Sequence, residues 1–143
     1  VGPGHKNQHE QIEGINIRGF VPDIAEELER SSLYIHPARA EAFGVSVLEA
    51  MRAGVPPIVT QTTGAKSEVR QIDESLVTDA DSNLLAKRII EYFDTPLDRR
   101  RKWSAIARSR SERFDPSTRK EAFKDTFKKL ITTITEKEEG ISG

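Results

Sequence analysis

The chain has 143 residues, of which 36% are hydrophobic and 31% are charged, and its formal net charge at pH 7 is −1. This length and composition are typical of one globular domain with a buried core, and the near-neutral charge gives no general attraction to nucleic acids or membranes. The absence of cysteine excludes a disulfide framework, a cysteine-ligated zinc site and a thiol nucleophile, and it favours a cytoplasmic location.

The first 30 residues predict a loop, a strand and a helix. Residues 5–14 are polar and favour an exposed loop or weak helix whose two histidines are solvated. Residues 15–19 alternate in the manner of a β-strand. The Pro-Asp pair at residues 22–23 is a typical helix start, and the helix that follows is expected to bury Ile24 and Leu28.

The middle of the chain predicts two further strands, each followed by a loop. Residues 33–36 read as a short buried strand, and residues 55–60 form the next, with prolines at its start where a missing donor is tolerated. We name the loops after them the first rim loop (residues 39–44) and the second rim loop (residues 62–68). Both follow strands directly, so both are expected at the edge of a parallel sheet where ligands bind.

The last part of the chain is predicted to be helical after a short strand at residues 75–78. One helix is capped at residues 81–82, a second begins at Pro96, and a third begins at Pro116. Apolar residues at helical spacing in these segments are expected to be core: Leu84, Leu85, Ile89, Tyr92, Phe93, Trp103, Ile106, Phe123, Phe127, Leu130 and Ile134.

Strands that alternate with helices over the first 80 residues predict βαβ units, in which the strands are parallel. The expected fold class is therefore α/β, a Rossmann-like three-layer domain with a parallel sheet flanked by helices and extra C-terminal helices. We expect this domain to span residues 1–135. Residues 136–143 are charged and then glycine-containing, and they are expected to fray.

The first rim loop leads into the most informative stretch, residues 41–54. Glu41 and Glu49 stand eight positions apart, and a glycine-containing turn between them opens an amphipathic helix that Gly54 ends. The first amides of a helix lack internal partners and lie at the positive end of its dipole, so they can bind phosphate. Carboxylates beside a phosphate must face neutral hydroxyl groups instead. The pattern predicts a phosphate between two polyols, as in a nucleotide sugar.

These residues resemble the retaining glycosyltransferases of the GT-B fold, and more narrowly the glycosyltransferase family 4 (group 1) enzymes. The Glu41-x7-Glu49 pair is similar to that family's EX7E signature. Four other segments are similar to family patterns: residues 1–4 to its VGxG strand end, residues 17–21 to its fxGxv segment, residues 55–58 to its GxPVI strand and residues 108–114 to a helix end.

The resemblance implies the C-terminal, donor-binding domain of a two-domain enzyme. Glu41 would be the catalytic residue, contacting hydroxyls of the donor sugar near the reacting centre, and Glu49 would bind the ribose. The other donor-binding residues that the resemblance implies are Gly19, Val21, Phe43, Gly44, Val45, Ser46, Gly64 and Glu68. Among these, the amides at residues 43–45 would hold the pyrophosphate or sugar, and Val21 would lie near the base.

The implied reaction transfers a hexosyl unit from a nucleoside diphosphate sugar, such as a UDP- or GDP-hexose, to an acceptor hydroxyl with retention of configuration. The motif requires no cofactor and no metal. The implied partners are the nucleotide-sugar donor and an N-terminal acceptor-binding domain. We expect no nucleic-acid partner, and membrane association, peripheral if it occurs, only through that missing domain.

Two departures from the family pattern bear on activity. The second glycine of the family's GGxxE loop is Ala65 here, a residue for which positive φ is restricted. The family's diphosphate-binding Arg and Lys would precede Val1, and the chain starts without an initiator methionine, so we expect a piece of a longer protein. Such a piece is expected to bind donor weakly and to be inactive alone.

Two alternatives stay open. A UDP-sugar epimerase of the same architecture would also bind the donor nucleotide, and a non-catalytic nucleotide-sugar-binding or interaction module would share the sheet. Three smaller interpretations concern single residues. Glu49 could pair with Arg52 on the helix surface, His36 is expected to be a satisfied core histidine, and the basic run at residues 99–102 is expected to be a solvated face.

Overall fold

In the part of the chain that the structure describes, three parallel strands lie side by side in chain order and form one sheet. The computed structural model describes residues 13–115, residue 120 and residues 124–126. The strands are β1 (Tyr34–His36), β2 (Pro57–Thr60) and β3 (Val77–Thr78). Because β2 pairs with both neighbours, all four of its residues are buried, as is typical of a central parallel strand. Pro57 is its first residue, which confirms the predicted place of the prolines.

Helices flank this sheet and confirm the predicted α/β class. They are α1 (Ile24–Glu29), α2 (Val45–Ala53), α3 (Lys66–Arg70), α4 (Ser82–Asp94) and α5 (Leu97–Ser111), with 3-10 turns at Glu74–Leu76 and Glu112–Phe114. The side chain of Asp23 caps α1, and the side chain of Asp81 caps α4 by accepting two amides at 2.9 Å. Within the described residues, none of the helices is long and apolar enough to cross a bilayer.

The main hydrophobic core joins the sheet to the helices. Its buried members are Val47, Met51, Ile58, Val59, Ala65, Val69, Ile72, Leu76, Val77, Tyr92, Trp103 and Ala107. Tyr92 stacks on Trp103 with ring centroids 5.8 Å apart, so both belong to the core as predicted. Leu84 and Phe93 were predicted to be core but are 42% and 53% exposed, because they lie on the face of α4 that meets solvent.

Helix α5 packs along α2 and binds the C-terminal end of that helix. Gly54 ends α2 in the left-handed conformation, with φ +79°, which confirms its predicted place. The Ser104 hydroxyl donates to the Gly54 carbonyl oxygen at 2.6 Å, and Arg108 donates to the Ala53 carbonyl oxygen at 3.1 Å. A Cβ at Gly54 would lie 2.8 Å from the Arg108 guanidinium. The left-handed backbone is the main reason for glycine here, because the end of a flexible arginine side chain moves away at little cost.

The strand predicted at residues 15–19 is wrong. These residues form no strand, and Ile15 and Ile17 are 58% and 49% exposed. A strand needs a neighbour for its backbone and a core for alternate side chains, and no other described residue provides either for this segment. The helix predicted after it does form as α1. Leu28 is buried there, but Ile24 is 45% exposed.

Predictions for both ends of the chain lie outside the described residues. These are the strand end at residues 1–4, the loop up to residue 12, most of the helix predicted from Pro116, and the fraying tail at residues 136–143. Residues 13–14 form a turn, and residues 120 and 124–126 are helical.

Candidate functional site

The two rim loops lie against each other where β1 and β2 end. The Glu41 amide donates to the Thr62 carbonyl oxygen at 3.2 Å, and the Gly64 amide donates to the Glu41 carbonyl oxygen at 3.0 Å. A third bond runs from the Ala65 amide to the Phe43 carbonyl oxygen at 2.8 Å. These bonds form a parallel bridge that continues the sheet beyond its strands. The structure therefore brings together the two loops that the sequence placed at one edge.

Gly64 permits this close approach. A Cβ built there would lie 2.0 Å from the Ala42 carbonyl oxygen and 2.9 Å from the Phe43 Cα, both backbone atoms that a side chain cannot displace cheaply. The neighbouring Ala65 has φ −71° and is buried at the start of α3. Alanine is unstrained in that conformation, so the departure from the family's second glycine has no backbone cost here.

Threonines at and after the end of β2 bind the residue that directly precedes the first rim loop. The hydroxyls of Thr60 and Thr62 donate to the Ala38 carbonyl oxygen at 2.5 Å and 2.7 Å, and Thr60 also lies 3.2 Å from the Thr63 hydroxyl. These threonines were not among the predicted site residues. The cluster of threonines directly after an apolar strand was the available signal, because buried hydroxyls need partners.

The N-terminus of α2 is open. Gly44, buried and with φ +86°, precedes the helix and provides no side-chain cap. The amides of Gly44, Val45 and Ser46 have no hydrogen-bond acceptor among the described residues. A helix of nine residues with free first amides presents aligned donors and the positive end of its dipole. This arrangement suits an anion.

The two carboxylates of the EX7E pair differ in their surroundings. Glu41 is half-buried, and its Oε1 accepts a long hydrogen bond, 3.4 Å, from the Phe43 amide. Glu49 is exposed on α2 and makes no hydrogen bond or ion pair within the described part of the chain. Arg52, its suggested surface partner, pairs with Asp115 at 3.3 Å instead. The interpretation of Glu49 as half of a surface pair with Arg52 is therefore wrong.

Glu68 lies in α3 rather than in a loop, since that helix begins at Lys66. Its Oε2 accepts two hydrogen bonds from Arg110 of α5, from Nε at 3.2 Å and from Nη2 at 2.9 Å. This partner was not predicted, because residues 42 positions apart in the sequence meet only through the fold. Lys66, beside it, donates to the Gln61 carbonyl oxygen.

Ser46 belongs to a short chain of polar side chains between α2 and β1. Its hydroxyl accepts a hydrogen bond from the Tyr34 hydroxyl at 2.9 Å, and the Tyr34 oxygen lies 3.4 Å from Nδ1 of His36. The Nε2 atom of His36 is buried and has no hydrogen-bond partner in the part of the chain that the structure describes. The expectation of a satisfied core histidine is therefore wrong. Ser46 is half-buried and faces β1 with its side chain while its amide stays free.

The remaining predicted residues form two groups. Phe43 and Val45 expose 40% and 63% of their surfaces beside the open helix end, and the Phe43 ring lies 6.0 Å from that of Phe114. Gly19, with φ +66°, and Val21 lie in a segment ahead of α1. Within the described residues, no hydrogen bond joins these two residues to the rim loops.

A second polar cluster lies outside the rim loops. Asp73 accepts hydrogen bonds from Arg99 at 2.9 Å and from the Trp103 indole at 3.1 Å, beside a cleft of about 190 Å³. Arg99, predicted to be part of a solvated face, is thus an ion-pair partner, although its side chain stays 58% exposed.

Comparison of the sequence with known proteins points to one family of enzymes. The family model for glycosyl transferases group 1 matches residues 5–110. The lipopolysaccharide core biosynthesis mannosyltransferase LpcC of Rhizobium leguminosarum bv. viciae is 38% identical over 80 residues, covering 54% of this chain and 22% of that protein. The GDP-Man:Man(3)GlcNAc(2)-PP-Dol alpha-1,2-mannosyltransferase of Dictyostelium discoideum is 33% identical over 110 residues. This match covers 73% of this chain and 20% of that protein.

A more distant relative is the sucrose synthase of Nitrosomonas europaea, 24% identical over 137 residues, with 79% of this chain and 17% of that protein covered. The chain spans about a fifth of the length of these curated relatives. No solved structure gave a significant match. Because the family model covers residues 5–110 of 143, including both rim loops and the Glu41-x7-Glu49 pair, the chain belongs to the group 1 glycosyltransferases.

Proposed function

We propose that this chain is the donor-binding domain of a retaining hexosyltransferase that uses a nucleoside diphosphate sugar. The observation that carries this proposal is the open N-terminus of α2, with the free amides of Gly44, Val45 and Ser46 between Glu41 and Glu49. Both mannosyltransferase relatives support a hexosyl donor, and the name of one contains GDP-Man. Residues 1–135 would form this domain, with the acceptor site elsewhere in a longer protein.

The diphosphate would lie against the α2 amides. Charge that develops on the departing diphosphate would be stabilised there by donors already in place, which is where such interactions lower a barrier. Each exposed dipole contribution is only about 0.3–1 kcal/mol, and about 2 kcal/mol when partly buried. The chain alone is therefore expected to bind donor weakly and to show no useful turnover.

The carboxylates would bind the two neutral ends of the donor. Glu41 would accept hydroxyls of the sugar and hold it for reaction, and its backbone is fixed by the bridge to the second rim loop. Glu49, exposed and unpaired within the described residues, would accept the ribose hydroxyls. Gly64 keeps the loops together, Val21 and Gly19 would border the base, and Glu68 would complete the sugar site.

A transferase assay of the full-length protein with GDP-mannose and UDP-glucose tests the role of Glu41. In Glu41→Gln we expect kcat/KM to fall by about 100-fold, since a misplaced reacting group costs a factor of this order. The matched control is Glu29→Gln, an exposed carboxylate on α1 that should leave the rate unchanged. An unchanged rate in Glu41→Gln would contradict the assignment.

The same reaction mixtures separate the alternatives. An epimerase would convert the donor sugar into its epimer without consuming acceptor, and a binding module would bind donor without any turnover in the full-length protein. Either result would refute the proposed transfer reaction.

A further inference from the structure

The ion pair between Glu68 and Arg110 uses only one oxygen of the carboxylate. Both Arg110 donors, Nε and Nη2, bind Oε2 at 3.2 Å and 2.9 Å. The other oxygen, Oε1, accepts no hydrogen bond from the described residues. The two side chains are only 18% and 26% exposed, so the carboxylate is held in one orientation in a partly desolvated place. Oε2 is therefore held by Arg110, and Oε1 remains available to accept a hydrogen bond.

The chain segment that carries Arg110 also reaches the first rim loop. Four residues after Arg110, the Phe114 ring lies 6.0 Å from the Phe43 ring. Glu68 itself is the last residue of the second rim loop, and Gly64 of that loop is bonded to Glu41. The end of α5 therefore contacts both parts of the candidate site, and it contacts the second part through a carboxylate that retains a free acceptor.

We propose that Arg110 is a positioning residue that orients the Glu68 carboxylate so that Oε1 accepts a hydroxyl of the donor sugar. This inference rests on the proposed function, because it assigns a ligand to the same site. A free carboxylate oxygen repels the diphosphate and matches a neutral hydroxyl donor. Two donors from the rigid guanidinium of Arg110 hold Oε2 of this carboxylate in place.

A purely structural role for this pair gives a different result. The two side chains are only 26% and 18% exposed, so breaking the pair also lowers stability, whatever ligand is present. The positioning role therefore predicts a loss that depends on the sugar, whereas a structural role predicts a loss that does not.

The test compares affinity for a sugar nucleotide with affinity for the same nucleotide without its sugar. Calorimetry on the full-length protein would use GDP-mannose against GDP, and UDP-glucose against UDP. In Arg110→Gln and in Glu68→Gln we expect affinity for the sugar nucleotide to fall about tenfold, since hydrogen bonds to charged groups are worth this much or more, and affinity for the nucleoside diphosphate to change by less than about twofold. The double variant should lose no more than either single one.

An equal loss for both kinds of ligand, or no loss for either, would overturn the positioning role. The charge-swapped variant, Glu68→Arg with Arg110→Glu, separates the two explanations further. It should recover the thermal stability of the pair but not the sugar-dependent affinity, and recovery of both would refute the proposal. Arg88→Gln, which breaks a 2.7 Å pair with Glu91 on α4, is the matched control and should change neither affinity.

Failure of the proposed function gives a different result. Wild-type protein would then bind neither sugar nucleotide, and this inference would fall with it. Binding by wild type together with unchanged variants would remove the role of Arg110 alone.

Discussion

Two acidic regions of this protein use their carboxylates in opposite ways. Asp73 has both oxygens occupied: Oδ1 accepts the amide and hydroxyl of Ser75 at 3.0 Å and 2.6 Å, and Oδ2 accepts Arg99 and the Trp103 indole. Glu49, by contrast, has no partner within the described residues, and the amides of Gly44, Val45 and Ser46 have no acceptor among them either. A saturated carboxylate stabilises the fold, and an open one is available to a ligand.

The pKa of Asp73 reflects its hydrogen-bond partners. Burial by itself raises the pKa of the Asp73 carboxyl, but hydrogen bonds from Ser75 and Arg99 outweigh it and lower the pKa from 3.8 to about 2. The ionised form is thus preferred in the folded state, because its partners are already in place. Glu49 has no such partners among the described residues, so a bound ligand would have to provide them.

The largest loss of stability is expected from a substitution at Gly64, where the backbones of the two rim loops touch. Gly64→Ala places a methyl group 2.0 Å from the Ala42 carbonyl oxygen, so the rim loops must separate. We expect the free energy of unfolding to fall by about 3 kcal/mol and binding of sugar nucleotide to be lost. Urea unfolding and calorimetry measure the two effects.

Gly14→Ala is the control for that substitution. Gly14 has φ +80° and open space around it, so alanine adds only the strain of a left-handed backbone, about 1 kcal/mol. Equal destabilisation by the two substitutions would show that the loops do not need their close approach.

The second prediction tests the saturated carboxylate. Asp73→Asn should lower the free energy of unfolding by about 2 kcal/mol at pH 7, because charged hydrogen bonds to Arg99 and Trp103 weaken. The folded-state pKa lies below 3.8, so ionised Asp73 stabilises the fold above that pH and loses this effect as the pH falls towards 2. Urea unfolding between pH 7 and pH 3 should therefore show the difference between variant and wild type shrinking with acid. A difference independent of pH would contradict the assigned role.

The smallest effect on stability is expected at the open carboxylate. Glu49→Gln should change the free energy of unfolding by less than about 0.5 kcal/mol, since an exposed side chain without partners has little to lose. Its affinity for sugar nucleotide should nevertheless fall about tenfold. Unfolding and calorimetry on the same preparation give both values. A large loss of stability in Glu49→Gln would contradict the conclusion that Glu49, unlike Asp73, does not stabilise the fold.

The sequence predicted those features that depend on neighbouring residues. Helix starts at Asp23 and Asp81, the helix end at Gly54 and the first two parallel strands follow from local chemistry, and the structure has them. Residues 15–19 show the limit of this reasoning. Their alternation is a local signal, but a strand also requires a paired neighbour, which no local pattern encodes.

The candidate site shows the same limit. The order of strands and loops was enough to bring the two rim loops to one edge, and hence Glu41 next to Gly64. The sequence did not predict that Arg110 binds Glu68, or that Nε2 of His36 lacks a hydrogen-bond partner among the described residues. Both depend on side-chain directions and on contacts between distant segments, which packing decides.

The packing of α5 on α2 has a consequence for how the protein forms during synthesis. Gly54 and Glu68 are held by Ser104 and Arg110, which leave the ribosome 50 and 42 residues later. Domains generally fold as units from the N-terminal side as they emerge, and contacts between distant residues must wait for the later partner. We therefore expect the rim loops to reach their final arrangement only after α5 has been released. Ribosome-bound chains that end before Leu97 should lack it.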